Sequence, residues 1–145
     1  MKGTSTNINN SIAFASQHAI DALRQIEVTK GKDRAKLLEK MLRLETAHFT
    51  SGQYKHTGSA GMEDGKWPNL PQGSYSTIKM NDNHLTGAAK LRTFIKWNSV
   101  YSFLLYLSDY IDRHSGNFAR WNSTNETKQA SYRKEVNSIK NKTII

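Results

Sequence analysis

The sequence predicts a mainly helical α+β fold, in which an irregular lobe is inserted between the second and third helices. Apolar residues recur every three to four positions before and after this lobe, a spacing typical of amphipathic helices. The lobe, residues 50–90, contains six of the nine glycines and both prolines, which disfavour long regular elements. The 145 residues suit a single domain, because two cores of ordinary size would need a longer chain.

Two helices are predicted before the lobe. The first covers about residues 7–28 and is followed by a break around Gly31. The second starts near Asp33, whose side chain can accept a hydrogen bond from a free backbone N–H of the first turn. Both helices carry an apolar face. The first presents Ile8, Ile12, Ala15, Ala19, Ala22 and Ile26, and the second presents Leu38, Met41 and Leu42.

The lobe has room for a short hairpin, and two further helices are predicted after it. The third helix covers about residues 91–113 and is apolar on most of its faces, which is typical of the central helix of a small domain. The last helix begins at the run Ser123-Thr124-Asn125-Glu126, which fits a capping box. It turns Tyr132, Val136 and Ile139 towards the core.

Composition excludes several classes of protein. The chain has no cysteine, so it can form no disulfide scaffold, no thiolate zinc or iron–sulfur site and no thiol nucleophile. Lys and Arg number 21 against 12 Asp and Glu, which gives a net charge of +9. The expected partner is therefore a polyanion, whether nucleic acid, an anionic membrane surface or an acidic cell-wall polymer.

No targeting or membrane-spanning segment is predicted. Polar residues interrupt the apolar run Ser11–Ile20, so this run does not resemble the core of a signal peptide. Phe94–Ile111 is the most apolar stretch, but Lys96, Asn98 and Asp109 indicate a protein core and not a bilayer span. We therefore expect synthesis in the cytoplasm without a signal peptide.

Glu45 interrupts the apolar face of the second helix. It lies three residues after Leu42, four after Met41 and seven after Leu38, so it continues that face. Desolvation at this position and the negative end of the helix dipole would both raise the pKa of the carboxyl. A carboxylic acid that keeps its proton near neutral pH suits general acid catalysis. The alternative is a helix-terminal Glu that turns to solvent or pairs with Arg43 or a lysine.

The segments that follow this position resemble a known active-site arrangement. Glu45-Thr46 ends the helix, and the run Gly58-Ser59-Ala60-Gly61-Met62 follows within the lobe. This order resembles the lysozyme-like superfamily, in which a helix ends in the catalytic Glu, a Ser or Thr follows, and a glycine-rich run ends in a Gly-Leu-Met-type triplet. The resemblance implies a lysozyme-like fold with Glu45 as the catalytic acid.

A second resemblance lies near the end of the sequence. Phe118-Ala119-Arg120-Trp121-Asn122-Ser123 and Gln129-Ala130-Ser131-Tyr132 are similar to the closing segment of the glucosaminidases of glycoside hydrolase family 73. The resemblance implies a cofactor-free glycosidase that cleaves the β-1,4 glycan backbone of bacterial peptidoglycan, as an N-acetylglucosaminidase. The missing signal peptide favours a phage or prophage enzyme, either an endolysin or a virion-associated lysin that reaches the cell wall after release.

The same resemblance implies the remaining site residues. A second carboxylate would activate water or stabilise the developing positive charge, and Glu63 is preferred over Asp64 and Asp82 because it adjoins the Gly61-Met62 pair. Aromatic rings would supply platforms for sugar rings, and amide or hydroxyl groups would hydrogen-bond them. The predicted substrate-binding residues are Gln53, Tyr54, Ser59, Tyr110 and Trp121, with Trp67 and Tyr75 as further platforms and Trp97 in the core.

Other functions are compatible with the sequence. A muramidase or lytic transglycosylase would share the fold and the acid, and an inactive lysozyme-like module would share the fold alone. A nucleic-acid-binding protein would fit the charge, but Lys and Arg are scattered and no recognised nucleic-acid-binding motif is present. A metal site is not predicted, because Glu45-Thr46-Ala47-His48 is the one Glu-x-x-His pair and the histidines show no ligand spacing.

Overall fold

A computed structural model describes residues 5–7, 13–81 and 91–145 of the chain. The helices of these ranges are α1 (Ser16–Lys30), α2 (Lys32–Glu45), α3 (Gly52–Thr57), α4 (Val100–Arg113) and α5 (Glu126–Ser138), with a 3-10 helix at Phe118–Trp121. The strands are β1 (Ser5–Asn7), β2 (Tyr75–Asn81) and β3 (Leu91–Trp97).

The three strands form one small sheet in the order β1-β2-β3. β1 runs parallel to β2, and β2 runs antiparallel to β3, from Tyr75 opposite Trp97 to Asn81 opposite Leu91. The helices outnumber the strands and enclose the larger part of the core. The predicted mainly helical α+β class is confirmed. The predicted hairpin inside the lobe is not found among the described residues, because β2 of the lobe pairs with β3, which lies after the lobe, and with β1.

The first helix starts later than the sequence predicts. It begins at Ser16 and not near residue 7, because Asn7 belongs to β1; the predicted residues 8–12 lie outside the described ranges. Ala15 is extended, and its backbone N–H donates to the Nδ1 atom of His18 over 2.8 Å. This hydrogen bond satisfies one of the free donors that every helix start leaves.

The third predicted helix is wrong in its first third, because residues 91–97 form a strand. The apolar run there is short, and short apolar runs fit strand and helix periods equally well. Pairing with the lobe decides between them, since the backbone N–H of Ile95 donates to the carbonyl of Met62 over 2.7 Å. The helix begins at Val100, where the Ser99 side chain accepts the N–H of Ser102.

The predicted capping box of the last helix is also corrected. The N-cap is Asn125, whose side-chain oxygen accepts the N–H of Lys128 over 3.0 Å. Ser123 lies outside the helix, and its hydroxyl accepts the N–H of Asn125 over 3.0 Å. Tyr132 and Val136 are buried as predicted.

The core is organised around α4, which packs against α1 and α2. Trp97, at the end of β3, is fully buried beside α4 as the sequence predicts. Its indole N–H points at the sulfur of Met62 over 3.4 Å. A separate small cluster of Ile78, Met80 and Phe94 packs on the sheet.

A buried carboxylate holds the segment that follows α5. Glu39, on α2, is fully buried and accepts hydrogen bonds from the backbone N–H groups of Lys142, Thr143 and Ile144 at 2.9–3.0 Å. The Asn141 amide donates to the same carboxylate over 3.0 Å. We call Glu39 with residues 141–144 the C-terminal clasp. No periodicity argument singles out Glu39, because its partners are backbone groups about a hundred residues away.

Candidate active site

Glu45 is the last residue of α2, and Thr46 terminates that helix. The Thr46 hydroxyl donates to the carbonyl of Leu42 and accepts the N–H of Phe49 over 2.9 Å. It therefore satisfies one of the free carbonyls that the helix end leaves and also fixes the next turn. A small hydroxylated residue after Glu45 thus has a local structural role in addition to its place in the resemblance.

A left-handed turn follows directly. Ala47, His48 and Phe49 have φ angles of 50°, 55° and 69°. This conformation costs about 1–2 kcal/mol for each residue with a side chain, so surrounding contacts must hold it. The N–H of His48 donates to the carbonyl of Arg43 over 2.8 Å, and Phe49 is buried under the Arg43 guanidinium, 4.5 Å from its ring centre. Backbone strain of this kind is concentrated at functional sites.

Ala47→Gly is expected to raise the free energy of unfolding by about 0.5–1 kcal/mol, because glycine adopts positive φ without a steric penalty. Ala130→Gly, at an exposed position inside α5, is the matched control and should lower it by a similar amount. Urea unfolding of the wild type and of both variants measures the two changes in the free energy of unfolding. If Ala47→Gly is as destabilising as Ala130→Gly, the turn carries no strain.

The Glu45 carboxyl lies in an apolar environment and is only partly exposed. Burial raises its pKa from 4.5 to about 7, and hydrogen bonds from the side chains of Tyr132 and Trp121 act in the opposite direction. The Tyr132 hydroxyl donates to Oε2 of Glu45 over 2.7 Å. The pKa of Glu45 is therefore shifted in the direction that the sequence predicts.

Aromatic rings extend from the acid into a groove of about 530 Å³. Trp121 stacks on Trp67 at 4.4 Å, and Tyr110 meets Trp121 edge to face at 5.0 Å. Trp67 is the most exposed of the three rings, because Tyr110 and Trp121 are 6% and 8% exposed. Arg120 donates to the Tyr110 hydroxyl over 3.0 Å and lines the same groove.

Three of the predicted site residues are therefore joined by contacts. Trp121 connects the Glu45 carboxyl with the ring of Tyr110. The three come from α2, the 3-10 helix and α4, so only the folded chain brings them together.

Glu63, the predicted second carboxylate, is not one of the residues that line the groove, but its ion-pair partner Lys66 is. Its Oε1 atom is 3.1 Å from Nζ of Lys66 and 3.5 Å from Nη1 of Arg92, and Lys66 lines the groove beside Trp67. The contacts of the described residues do not join Glu63 with Glu45. The third candidate of the sequence, Asp82, lies outside the described residues.

Two predicted sugar-binding residues are corrected. Tyr54 is fully buried, and its hydroxyl donates to the carbonyl of Ala15 over 2.7 Å. Ser59 is fully buried beside the hydroxyl of Thr57. Neither side chain can contact a sugar, because the core encloses both. Their polar side chains in or near a glycine-rich run suggested sugar binding. Instead, the hydroxyls of Tyr54 and Ser59 pair with polar groups inside the protein.

Gln53 packs closely over Gly61. A Cβ atom at Gly61, where φ is 79°, would lie 2.6 Å from the Gln53 amide. The glycine is therefore needed for this close approach and for its backbone conformation. Gln53 is partly exposed, and its predicted contact with substrate stays a prediction.

Tyr132 is a site residue that the sequence reasoning assigned to the core. Its apolar stripe indicated burial, and it is 5% exposed. Burial and the neighbouring Glu45 carboxylate both raise the pKa of its hydroxyl, so it remains a hydrogen-bond donor. The available signal was its place in the closing segment that resembles the glucosaminidases.

Tyr132→Phe is expected to raise the pKa of Glu45 above about 7, because the lost hydrogen bond favours the charged carboxylate. The titration of the Glu45 side-chain carbon by NMR measures this shift. Tyr101→Phe, which removes a hydroxyl bonded to Thr29 on the outside of the helices, is the control. An unchanged Glu45 pKa in Tyr132→Phe would contradict the assigned hydrogen bond.

Comparisons with family models, with curated proteins and with solved structures found no match to this chain. Among residues 13–81 and 91–145, no group of three His, Asp or Glu side chains could hold a metal ion. Within the same part of the chain, every helix is too short or too polar to cross a bilayer.

Proposed function

We propose that the protein is a peptidoglycan-degrading glycosidase that uses Glu45 as its general acid. The observation that carries the proposal is a Glu45 carboxyl with a pKa raised by burial to about 7, beside the side chain of Trp121. Trp121 also lines the aromatic groove, whereas Glu45 itself is not one of the residues that line it. Titratable groups with strongly shifted pKa values are concentrated at catalytic sites. The motif resemblance of the flanking segments supports the same reaction class.

In the proposed reaction, protonated Glu45 donates its proton to the glycosidic oxygen as the bond to the anomeric carbon breaks. The leaving sugar departs as a neutral alcohol, and the anomeric carbon develops oxocarbenium character. Glu45 becomes a carboxylate, which the hydrogen bond from Tyr132 stabilises. Such proton transfer contributes about 10²–10⁴-fold to the rate. The proton is available mainly below about pH 7.

The groove suits an amphipathic, anionic glycan. Trp67 offers a partly exposed ring face of the kind on which the apolar face of a sugar packs. Lys66 and Arg120 place positive charge along the same groove, and the chain has a net charge of +9. Both features favour a polymer that carries carboxylates, as peptidoglycan does.

The second step needs a nucleophile. We propose Glu63, which forms ion pairs with Lys66 and Arg92, as the carboxylate that activates water. Glu63 makes no contact with Glu45 among the described residues, and this observation favours a second candidate reaction. In that reaction a group of the substrate itself, an acetamido or hydroxyl oxygen, attacks the anomeric carbon, as in a lytic transglycosylase.

Digestion of purified sacculi followed by mass spectrometry tests the proposal. A reducing N-acetylglucosamine end identifies the proposed glucosaminidase, a reducing N-acetylmuramic acid end identifies a muramidase, and a 1,6-anhydro end identifies a lytic transglycosylase. Glu63→Gln should abolish the first two products and leave the third intact. Sacculi with no released fragments at pH 5–8 would contradict the proposal and indicate an inactive module.

A further inference from the structure

Arg43 is a single residue that contacts both the C-terminal clasp and the left-handed turn. It is 8% exposed. On one side its Nε atom lies 2.7 Å from Oε2 of Glu39, and its Nη2 atom donates to the Thr143 hydroxyl over 3.2 Å. The buried guanidinium is thus held in one orientation by the clasp, because a charge-assisted hydrogen bond in a water-poor site is strong.

On its other side Arg43 holds the turn. The guanidinium lies over the Phe49 ring at 4.5 Å, and the Arg43 carbonyl accepts the N–H of His48 over 2.8 Å. Phe49 also packs on Tyr54, 6.1 Å between ring centres. These contacts oppose the strain of three successive left-handed residues, which would otherwise relax the backbone that leaves Glu45.

We propose that Arg43, oriented by Glu39 of the clasp, is a positioning residue that holds the Ala47–Phe49 turn and thereby keeps the Glu45 carboxyl in its apolar site. The clasp, Arg43 and Phe49 are then joined by contacts, and the backbone of the turn connects them to Glu45. Loosening any of them lets water reach the acid. The effect on catalysis rests on the proposed function, whereas the effect on the acid itself does not.

The groups that face Glu45 come from separate elements, which makes the test specific. Tyr132 of α5 donates a hydrogen bond to the carboxyl, and Trp121 of the 3-10 helix acts on its pKa in the same direction. In the part of the chain that the structure describes, no hydrogen bond or ring contact joins Tyr132 or Trp121 to Arg43 or Phe49. Variants of Phe49 and Arg43 therefore leave the direct partners of the acid in place. Phe49→Leu changes no charge, so a change in the Glu45 pKa of this variant is transmitted through the turn. Arg43→Met also removes a positive charge, which by itself would raise the Glu45 pKa.

The test titrates the Glu45 side-chain carbon by NMR in Phe49→Leu and Arg43→Met, with unfolding free energies measured in urea. Phe49→Leu keeps the Glu39–Arg43 pair and an apolar side chain, so it guards against a variant that fails to fold. Arg34→Met is the matched control, since Arg34 joins the same helix to Asp112 and Ser108 of α4, away from the turn.

We expect the Glu45 pKa to fall by about one unit or more in both variants, a tenfold weaker hold on the proton. In Arg34→Met we expect an unchanged Glu45 pKa and a smaller loss of stability than in Arg43→Met, because the Arg34–Asp112 ion pair is more exposed. A Glu45 pKa that is the same in Phe49→Leu, Arg43→Met and the wild type would overturn the inference. With sacculi as substrate, both variants should show a lower kcat than the wild type and an unchanged KM. If the wild type cleaves no sacculi, the proposed function is wrong. The NMR titration still tests the positioning role in that case, because it does not depend on activity.

Discussion

Replacing Glu45 with glutamine should reduce the release of fragments from sacculi by about 10²–10⁴-fold, because an amide cannot donate the proton. The same substitution should make the protein more stable at pH 8. A residue with a purely structural role would give the opposite result, since its replacement would destabilise the fold. The combination of lost activity and gained stability is therefore specific to an acid held in an unfavourable environment.

The sign of the stability effect follows from the pKa of Glu45, which folding raises from 4.5 to about 7. The folded state binds this proton more tightly than the unfolded state, so the contribution of Glu45 to the stability of the wild type is largest below pH 4.5. It falls as the pH rises from 4.5 to 7 and is constant above that. Because the carboxyl is partly exposed, its titration should lower the free energy of unfolding of the wild type by about 1–3 kcal/mol over this interval.

Urea unfolding of Glu45→Gln and the wild type at pH 4 and pH 8 measures the effect. The difference in unfolding free energy between the two proteins should be larger at pH 8 than at pH 4, and at pH 8 the variant should be the more stable. Glu135→Gln makes the same change at an exposed position of α5 and should leave both activity and the pH dependence of stability unchanged. Full lytic activity in Glu45→Gln would show that Glu45 is not the general acid.

The largest loss of stability is expected for Glu39→Gln. This change leaves the Arg43 guanidinium buried without its charged partner and places amide hydrogens against the donors of residues 141–144. Breaking a buried pair by removing one partner costs about 3–5 kcal/mol. In a chain of this size the melting temperature should fall by about 10 °C or more.

The stability that Glu39 contributes through the clasp depends on pH in the opposite direction to the stability that Glu45 contributes. Burial by itself would raise the pKa of Glu39, but hydrogen bonds from the N–H groups of Ile144 and Lys142, and from Arg43 and Asn141, lower it from 4.5 to about 2. Its contribution to stability is therefore complete above pH 4.5 and is lost as the pH falls from 4.5 to 2. It amounts to about 3 kcal/mol.

Thermal unfolding at pH 7 and acid unfolding between pH 5 and pH 2 check this prediction, again with Glu135→Gln as the control. Glu39→Gln should melt lower and should lose less stability on acidification than the wild type does. If Glu39→Gln and Glu135→Gln melt together at pH 7, the clasp does not stabilise the protein.

Much of the helical framework and the acid could be predicted from local patterns. The apolar face of α2 located Glu45 at the helix end, because side chains three and four residues apart share a face. The same method failed for residues 91–97, where an apolar run of strand length was assigned to a helix. It also misplaced Tyr54 and Ser59, because polarity alone does not distinguish a group that binds a ligand from one that satisfies a buried partner.

Helical periodicity and local composition were enough to establish the mainly helical class and to place Glu45 at the end of α2, since both depend on neighbours along the chain. They did not predict that the lobe contains the short helix α3 and the strand β2. Tertiary structure alone decided the partners of that acid. Tyr132 lies 87 residues from Glu45 in sequence, and the C-terminal clasp joins Glu39 to backbone groups 103–105 residues away. Hydrogen bonds over such separations depend on how α2, α4 and α5 pack, and a one-dimensional pattern of residue types does not encode that geometry.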